Sequence, residues 1–224
     1  MLGGFLIVLA IPDFHAPFGH KDAADFLSDL KKEYKPQKVI CLGDEVDAYS
    51  LSDWDHSPDA MSAGDEYKAA IKQLQPLYKL FPKVMVCESN HGRRPFRKAL
   101  KAGLPEVYMR KYHEFMQSPK GWHWAHSWTI DSTIYQHGDG YSGAQGAMKA
   151  AIANRRSTVI GHIHSNAGAV HLAGANDQIF ALNAGCLVDT KAYAFAYGAH
   201  HGSKPVLGAG IIIDGSFPIF EPMR

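Results

Sequence analysis

The chain has 224 residues, 46% hydrophobic and 20% charged, which suffices for one packed core and is read as a single domain over residues 1–224. Its formal net charge of +1 excludes a global polycation as the basis for binding nucleic acid, leaving only local basic patches. The three cysteines, Cys41, Cys87 and Cys186, are widely spaced, offer no disulfide framework, and read as small buried hydrophobes of a reducing compartment.

The opening run MLGGFLIVLAIPDFH lacks a basic segment and a small-residue cleavage site, so a core strand over 5–11 is expected rather than an export signal. No apolar run approaches the roughly 20 residues of a membrane helix, and the cytoplasm is the expected location. Phe26, Leu30 and Tyr34 at i, i+4 and i+8, with Ala23 and Leu27 beside them, predict a helix over 22–34. A short strand over 38–42 ends at Gly43, and the polar, turn-rich stretch 50–64 reads as a loop. A helix over 66–80 follows, which Pro76 is expected to kink or end. A third strand covers 83–87, and this alternation predicts parallel strands with crossover helices.

Further on, a helix is expected over 105–116, then strands over 122–126 and 128–135. An Ala-rich helix over 142–156 takes Ser142 as its N-cap. Strands over 158–160, 178–182, 193–197, 207–213 and 218–221 complete the chain, joined by Gly-rich turns. Trp122, Trp124 and Trp128 share strand parity, and core packing is their default role. The expected class is α/β: a four-layer α/β/β/α sandwich of two mixed sheets packed face to face, with flanking helices.

Five clusters each close a predicted strand: Asp13-Phe14-His15, Gly43-Asp44-Glu45-Val46-Asp47, Ser89-Asn90-His91, His137-Gly138-Asp139 and Gly161-His162-Ile163-His164. Ligand sites in open α/β sheets form beyond the carboxyl ends of strands. Carboxylate, imidazole and amide oxygens together suit divalent Mn, Fe, Zn or Ni, and no thiolate site is indicated. Each cluster alone is weak, since a lone Asp after Gly is usually a turn residue and a lone His a structural one. The weight lies in five together, in one order, all at strand ends.

In that order the motifs resemble the calcineurin-like metallophosphoesterase superfamily, whose pattern runs DxH, GDxxD, GNH, a His-Gly segment, then GHxH. They stand here as DFH (13–15), GDEVD (43–47), SNH (89–91), HGD (137–139) and GHIH (161–164). Departures are Ser89 in place of Gly, Gly92 where many members carry an acid, and Ala184 and Cys186 in LNAGCL (182–187), which is similar to the family's Asn-Pro-Gly-Ser turn. The resemblance implies one metal on Asp13, His15, Asp44 and His164 and another on Asp44, Asn90, His137 and His162, with Asp44 bridging. His91 is implied to face the scissile phosphate as a catalytic group, with Asp44 and Asn90 beside the substrate.

The activity so implied is hydrolysis of phosphomonoesters or phosphodiesters by metal-activated hydroxide, with two divalent ions about 3.5–4 Å apart clamping the phosphate. Manganese is the first expectation. A phosphorylated small molecule or nucleotide is the expected substrate, with no membrane partner. Arg93 is the expected phosphate-gripping residue. Arg97, Lys98 and Lys101 are expected on a solvated helix face, with phosphate contact as the alternative. Asp47 and Asp139 are expected either to orient ligand histidines or to serve as turn carboxylates. The 50–64 loop and Tyr141 are expected to wall the pocket. Alternatives are a DNA or RNA nuclease of the same superfamily, favoured by the basic stretch 93–101, and a catalytically silent metal-binding scaffold, against which all seven ligand positions and His91 stand.

Overall fold

The first strand, β1 (Ile7–Ile11), is apolar at every position, and the computed structural model, which describes residues 5–192 and 204–224, gives the reason. Leu9 and Ile11 pack towards helices, while Val8 and Ala10 pack towards a second sheet. A strand covered on both faces has no polar side to show.

After β1 come α1 (Ala23–Tyr34), β2 (Lys38–Cys41), α2 (Ala63–Leu80), β3 (Lys83–Cys87), α3 (Arg94–Lys101), α4 (Tyr112–Phe115) and β4 (Gly121–Ala125). There follow β5 (Ser127–Ile130), β6 (Thr133–Gln136), α5 (Gly146–Asn154), β7 (Thr158–Ile160), β8 (Gly168–Ala173), β9 (Gln178–Asn183), β10 (Gly208–Ile213) and β11 (Phe217–Pro222). One sheet runs β11-β10-β1-β2-β3-β4 and the other β5-β6-β7-β9-β8. Both are mixed: β1 to β4 are parallel with antiparallel β10 and β11 beside them, and β6, β7 and β9 are parallel between antiparallel β5 and β8.

Leu27 and Leu30 of α1 and Leu74 and Leu77 of α2 cover the outer face of the first sheet. Val8, Ile40 and Leu42 meet Tyr135, Val159 and Phe180 between the sheets. Ala147, Ala150 and Ala151 of α5 lie on Ile160 and Ala181 at the outer face of the second sheet. Small side chains let that helix approach closely, and the four layers are those expected. All three cysteines are buried and unpaired by disulfides. No helix among the described residues is long and apolar enough to cross a membrane.

Several elements differ from expectation. The helix α2 runs through Pro76 to Leu80, because Leu74, Leu77 and Tyr78 are buried on its inner face. The expected helix over 105–116 is only a 3-10 turn at Glu106–Tyr108 and the short α4, and Val107 and Tyr108 are exposed, so no continuous apolar stripe holds a longer helix. The strand expected over 128–135 is a hairpin, with Asp131 and Ser132 both at positive φ, as a tight two-residue turn requires. Helix α5 begins at Gly146 rather than near Ser142, after turns at Gly140 and Gly143 with positive φ. Strand β8 has no counterpart among the expected strands, and the strand expected over 193–197 lies outside the described residues.

Candidate metal centre

All five clusters lie just beyond strand ends: Asp13 after β1, Asp44 after β2, Asn90 after β3, His137 after β6 and His162 after β7. Strands from both sheets therefore deliver side chains to one point. The approach is tight. A Cβ on Gly161 would stand 2.1 Å from Asp13 Oδ1, so only glycine lets the 161–162 backbone come this close. His162 N then donates to Asp13 Oδ1 and Oδ2 at 3.0 and 2.9 Å. His15, Asp44 and His162 all take positive φ (52°, 47° and 65°), a conformation that non-glycine residues adopt at a cost and that clusters at functional sites.

The donor atoms converge in two sets that meet at Asp44. In the first, His164 Nε2 is 2.9 Å from Asp13 Oδ2, and His15 Nε2 is 3.8 Å from Asp13 Oδ2 and 3.5 Å from Asp44 Oδ2. In the second, His137 Nε2 is 3.3 Å from Asp44 Oδ2, 2.7 Å from Asn90 Oδ1 and 3.1 Å from His162 Nδ1. Ligand atoms bound at 2.0–2.2 Å around one ion stand roughly 3–3.5 Å apart, so these spacings suit metal shells. Three groupings, Asp13-His15-His164, His15-Asp44-His91 and Asp44-His137-His162, each bring one atom per residue within 4.8 Å of one another.

Hydrogen bonding orients the ligand rings. His15 Nδ1 lies 2.8 Å from Asp47 Oδ2, and His137 Nδ1 lies 2.9 Å from the Leu42 carbonyl. Both partners only accept, so each ring donates from Nδ1 and directs Nε2 to the centre, the usual support for a ligand histidine. Of the two roles expected of it, Asp47 takes the one of holding a histidine ring, that of His15, whereas Asp139 is paired with Arg93.

The charges are mutually dependent. Burial lowers the proton affinity of His15, but hydrogen bonds to Asp13 and Asp47 and the charge of Asp44 outweigh it and push its pKa up to about 10. Burial likewise opposes His137, which the Asp44 and Asp13 carboxylates bring to about 9. Burial raises Asp44, yet the charges of His137 and His91 hold it well below the usual carboxylate range. His162 is lowered by burial and by His137. In the metal-free protein protons thus occupy positions that a cation would take, and the residues fit a divalent ion.

His91 is placed differently. Its Nδ1 faces the Asp47 carbonyl at 2.9 Å, its Nε2 faces Arg94 Nη2 at 3.3 Å, and its backbone N–H donates to Asp44 Oδ1 at 3.1 Å. A carbonyl accepts and a guanidinium donates, so Nδ1 carries the hydrogen and Nε2 presents its lone pair to Arg94. That same Nε2 stands 3.9 Å from Asp44 Oδ2, so His91 borders the centre with the Arg94 cation as its neighbour. Arg94 also donates to Asp47 O and Oδ1 at 2.8 and 3.2 Å. The guanidinium that reaches the centre is therefore that of Arg94, and Arg93 stands beside it on Asp139.

Two supporting residues carried no signal of their own. Ser89 Oγ accepts from Asp44 N at 2.9 Å and from Gly92 N at 3.2 Å, tying the second and third clusters together. Glu45 is buried, receives the Trp124 indole N–H at 3.0 Å, and is raised by burial to about 7 despite that bond. Behind the centre, Asn183 donates to the carbonyls of Ile163 and Asn166 at 2.8 and 2.6 Å, holding the GHIH turn from the LNAGCL segment. Tyr141 packs against the α5 cluster, and the 50–64 loop lies beside the centre through residues 51–54.

No family model matches the chain, and no curated protein matches it. Solved structures do. Vacuolar protein sorting 29 from Cryptosporidium parvum is 13% identical over 93% of this chain and 85% of that one, with a TM-score of 0.47. YfcE, a phosphoesterase from E. coli, is 15% identical over 92% and 87%, with a TM-score of 0.40. Vps29 from Chaetomium thermophilum is 14% identical over 92% and 83%, with a TM-score of 0.42. Likeness at this level assigns neither activity nor partner. In the order of its Asp-, Asn- and His-bearing turns, the chain is similar to the calcineurin-like metallophosphoesterases.

Proposed function

We propose that the chain is a phosphoric ester hydrolase that works through two divalent cations, manganese foremost, on phosphomonoesters or phosphodiesters. The observation that carries the reading is the position of Asp44 Oδ2, 3.5 Å from His15 Nε2 and 3.3 Å from His137 Nε2. One carboxylate between two imidazole sets is what a bridged pair of cations needs. Asp13, His15, Asp44 and His164 hold one ion, and Asp44, Asn90, His137 and His162 hold the other. Once bound, the pair neutralises the charge of a phosphate ester and makes a water acidic enough to supply hydroxide near neutral pH.

The remaining work falls to the chain. Arg94, held at the edge of the centre by Asp47, would donate N–H groups to the phosphate oxygens, a charge-assisted contact stronger than a neutral hydrogen bond. His91, fixed by Nδ1 on the Asp47 carbonyl, holds and passes a proton at Nε2. Arg94 uses that same Nε2 as its acceptor, so a proton there releases the guanidinium towards the phosphate. In the net step a water oxygen bonds to phosphorus, the bond from phosphorus to the ester oxygen breaks, and the leaving oxygen gains a proton.

The test is hydrolysis of bis-p-nitrophenyl phosphate and p-nitrophenyl phosphate by metal-stripped protein resupplied with Mn, beside Asp44→Asn. Turnover restored by Mn and lowered by about 10²-fold or more in the variant supports the reading, since even residues behind a ligand are worth about 10–100-fold. Two bound Mn ions with no turnover of either ester would contradict it and favour a silent scaffold.

A further inference from the structure

Beside the metal centre lies a cavity of about 300 Å³, within the size range of small-molecule sites. Asn90 and Arg94 form the wall it shares with the centre. Its floor is α3, which turns Arg94, Arg97, Lys98 and Lys101 towards it. These stand at i, i+3, i+4 and i+7, one face of a helix, and span about 10 Å at 1.5 Å per residue. The stripe therefore begins at the guanidinium next to His91 and leads away from it.

The facing wall is the 51–54 turn, which contributes Trp54 and Asp53. Buried Glu66 pins its start, accepting from Tyr49 N and Ser50 N at 2.6 and 2.8 Å. Trp54 is 75% exposed, against 3% for Trp122 in the core. A large aromatic left in water at the rim of a basic cavity has no packing role. Asp53 gathers the cations: Lys101 Nζ and Lys98 Nζ reach its carboxylate at 2.6 and 2.8 Å, and Arg97 Nη2 at 3.8 Å. Arg94 is paired with Asp47, so one carboxylate stands against Arg97, Lys98 and Lys101, which leaves an excess of two positive charges with these three side chains already converging on a single anionic group.

We propose that this cavity receives the nucleotide part of the substrate, with a second phosphate on Lys98 and Lys101 in exchange for Asp53 and a base stacked on Trp54. The proposal rests on the phosphoesterase reading and narrows it to esters whose reacting phosphorus is followed by another phosphate and a base. Free nucleoside diphosphates and ends of single-stranded nucleic acid share that chemistry. The near-neutral total charge does not oppose it, because the attraction is local.

The test is binding, measured without turnover. Fluorescence anisotropy of a fluorescein-labelled hexathymidylate is followed on metal-stripped protein in EDTA, with adenosine diphosphate as competitor. Lys98→Glu/Lys101→Glu is expected to weaken binding at least about tenfold and to flatten its salt dependence by about 0.7 for each phosphate the variant no longer neutralises. Trp54→Ala is expected to weaken it by about five- to hundredfold. Asp53→Asn is expected to tighten it, an opposite sign that misfolding cannot produce. Competition by the diphosphate at concentrations comparable to the oligonucleotide assigns the small nucleotide, and its failure to compete assigns the strand. Absence of binding by the unsubstituted protein at low salt, or binding indifferent to these changes, overturns the proposal. Hydrolysis of bis-p-nitrophenyl phosphate is scored separately, so the site can fail while the phosphoesterase reading stands, and the reverse.

Discussion

Replacing Asp47 by asparagine changes one atom in a fully buried group. Asp47 Oδ2 accepts from His15 Nδ1 at 2.8 Å, and Oδ1 accepts from Arg94 Nη1 at 3.2 Å. An amide keeps one acceptor and gains two donors, so it can serve His15 or Arg94 but must turn a donor towards the other. A buried donor without an acceptor costs about 1–3 kcal/mol. If the amide serves Arg94, His15 loses its orienting partner. Orienting groups of this kind are worth about 10–100-fold in metal affinity, or roughly 1.4–2.8 kcal/mol at about 1.4 kcal/mol per tenfold. The effect should be local, because His137 is oriented by the Leu42 carbonyl instead. Calorimetric titration of metal-stripped protein with Mn should show one site weakened by that factor and the other within about threefold of its original affinity. Equal weakening of both sites, or weakening of the His137 site alone, would refute the division of the centre into two sets.

Other outcomes follow from the same geometry. Gly161→Ala puts a methyl 2.1 Å from Asp13 Oδ1, and a steric insertion of this kind costs about 1–3 kcal/mol, so thermal unfolding should fall by several degrees and Mn should bind more weakly. Because His15 and His137 are raised to about 10 and 9, Mn binding at pH 7.5 should release close to two protons, read from binding enthalpies in buffers of different ionisation enthalpy. Both values lie above the unfolded 6.5, so the stability they add to metal-free protein is full below pH 6.5 and lost as pH rises through about 9 and then 10. The melting temperature of metal-free protein should therefore drop between pH 7 and 10 more than that of Mn-loaded protein. Arg94→Ala should lower kcat for bis-p-nitrophenyl phosphate by about 10–10²-fold, an effect of the size of one charge-assisted bond, while Arg93→Ala, which chiefly frees Asp139, should cost less.

That these Asp, Asn and His residues would meet at one point was legible in the sequence, because metal chemistry restricts residue type and parallel strands restrict place. An Asp, Asn or His just past an apolar run is the pattern that survives without knowledge of tertiary contacts. The layered fold was legible for a related reason: β1, and β2 and β3 after their exposed first residues Lys38 and Lys83, read as apolar runs. Other features depend on contacts between distant segments. Arg93 and Arg94 are indistinguishable in the chain, and only the positions of Asp139 and His91 separate their roles. Ser89 looks like a departure from a glycine until its hydroxyl is seen to receive Asp44 N and Gly92 N. Strand β8 is an exposed edge without an alternating pattern, held by its pairing to β9. Trp54 and the α3 stripe lie 40 residues apart and meet only because Glu66 fixes the turn after Ala48.

The central claim is that Asp44 joins two cations in one centre. Anomalous difference density from crystals of the protein grown with Mn tests it most directly. The account predicts two peaks about 3.5–4 Å apart with Asp44 Oδ2 between them, one among Asp13, His15 and His164 and the other among Asn90, His137 and His162. A single peak, or two that share no Asp44 contact, would contradict it.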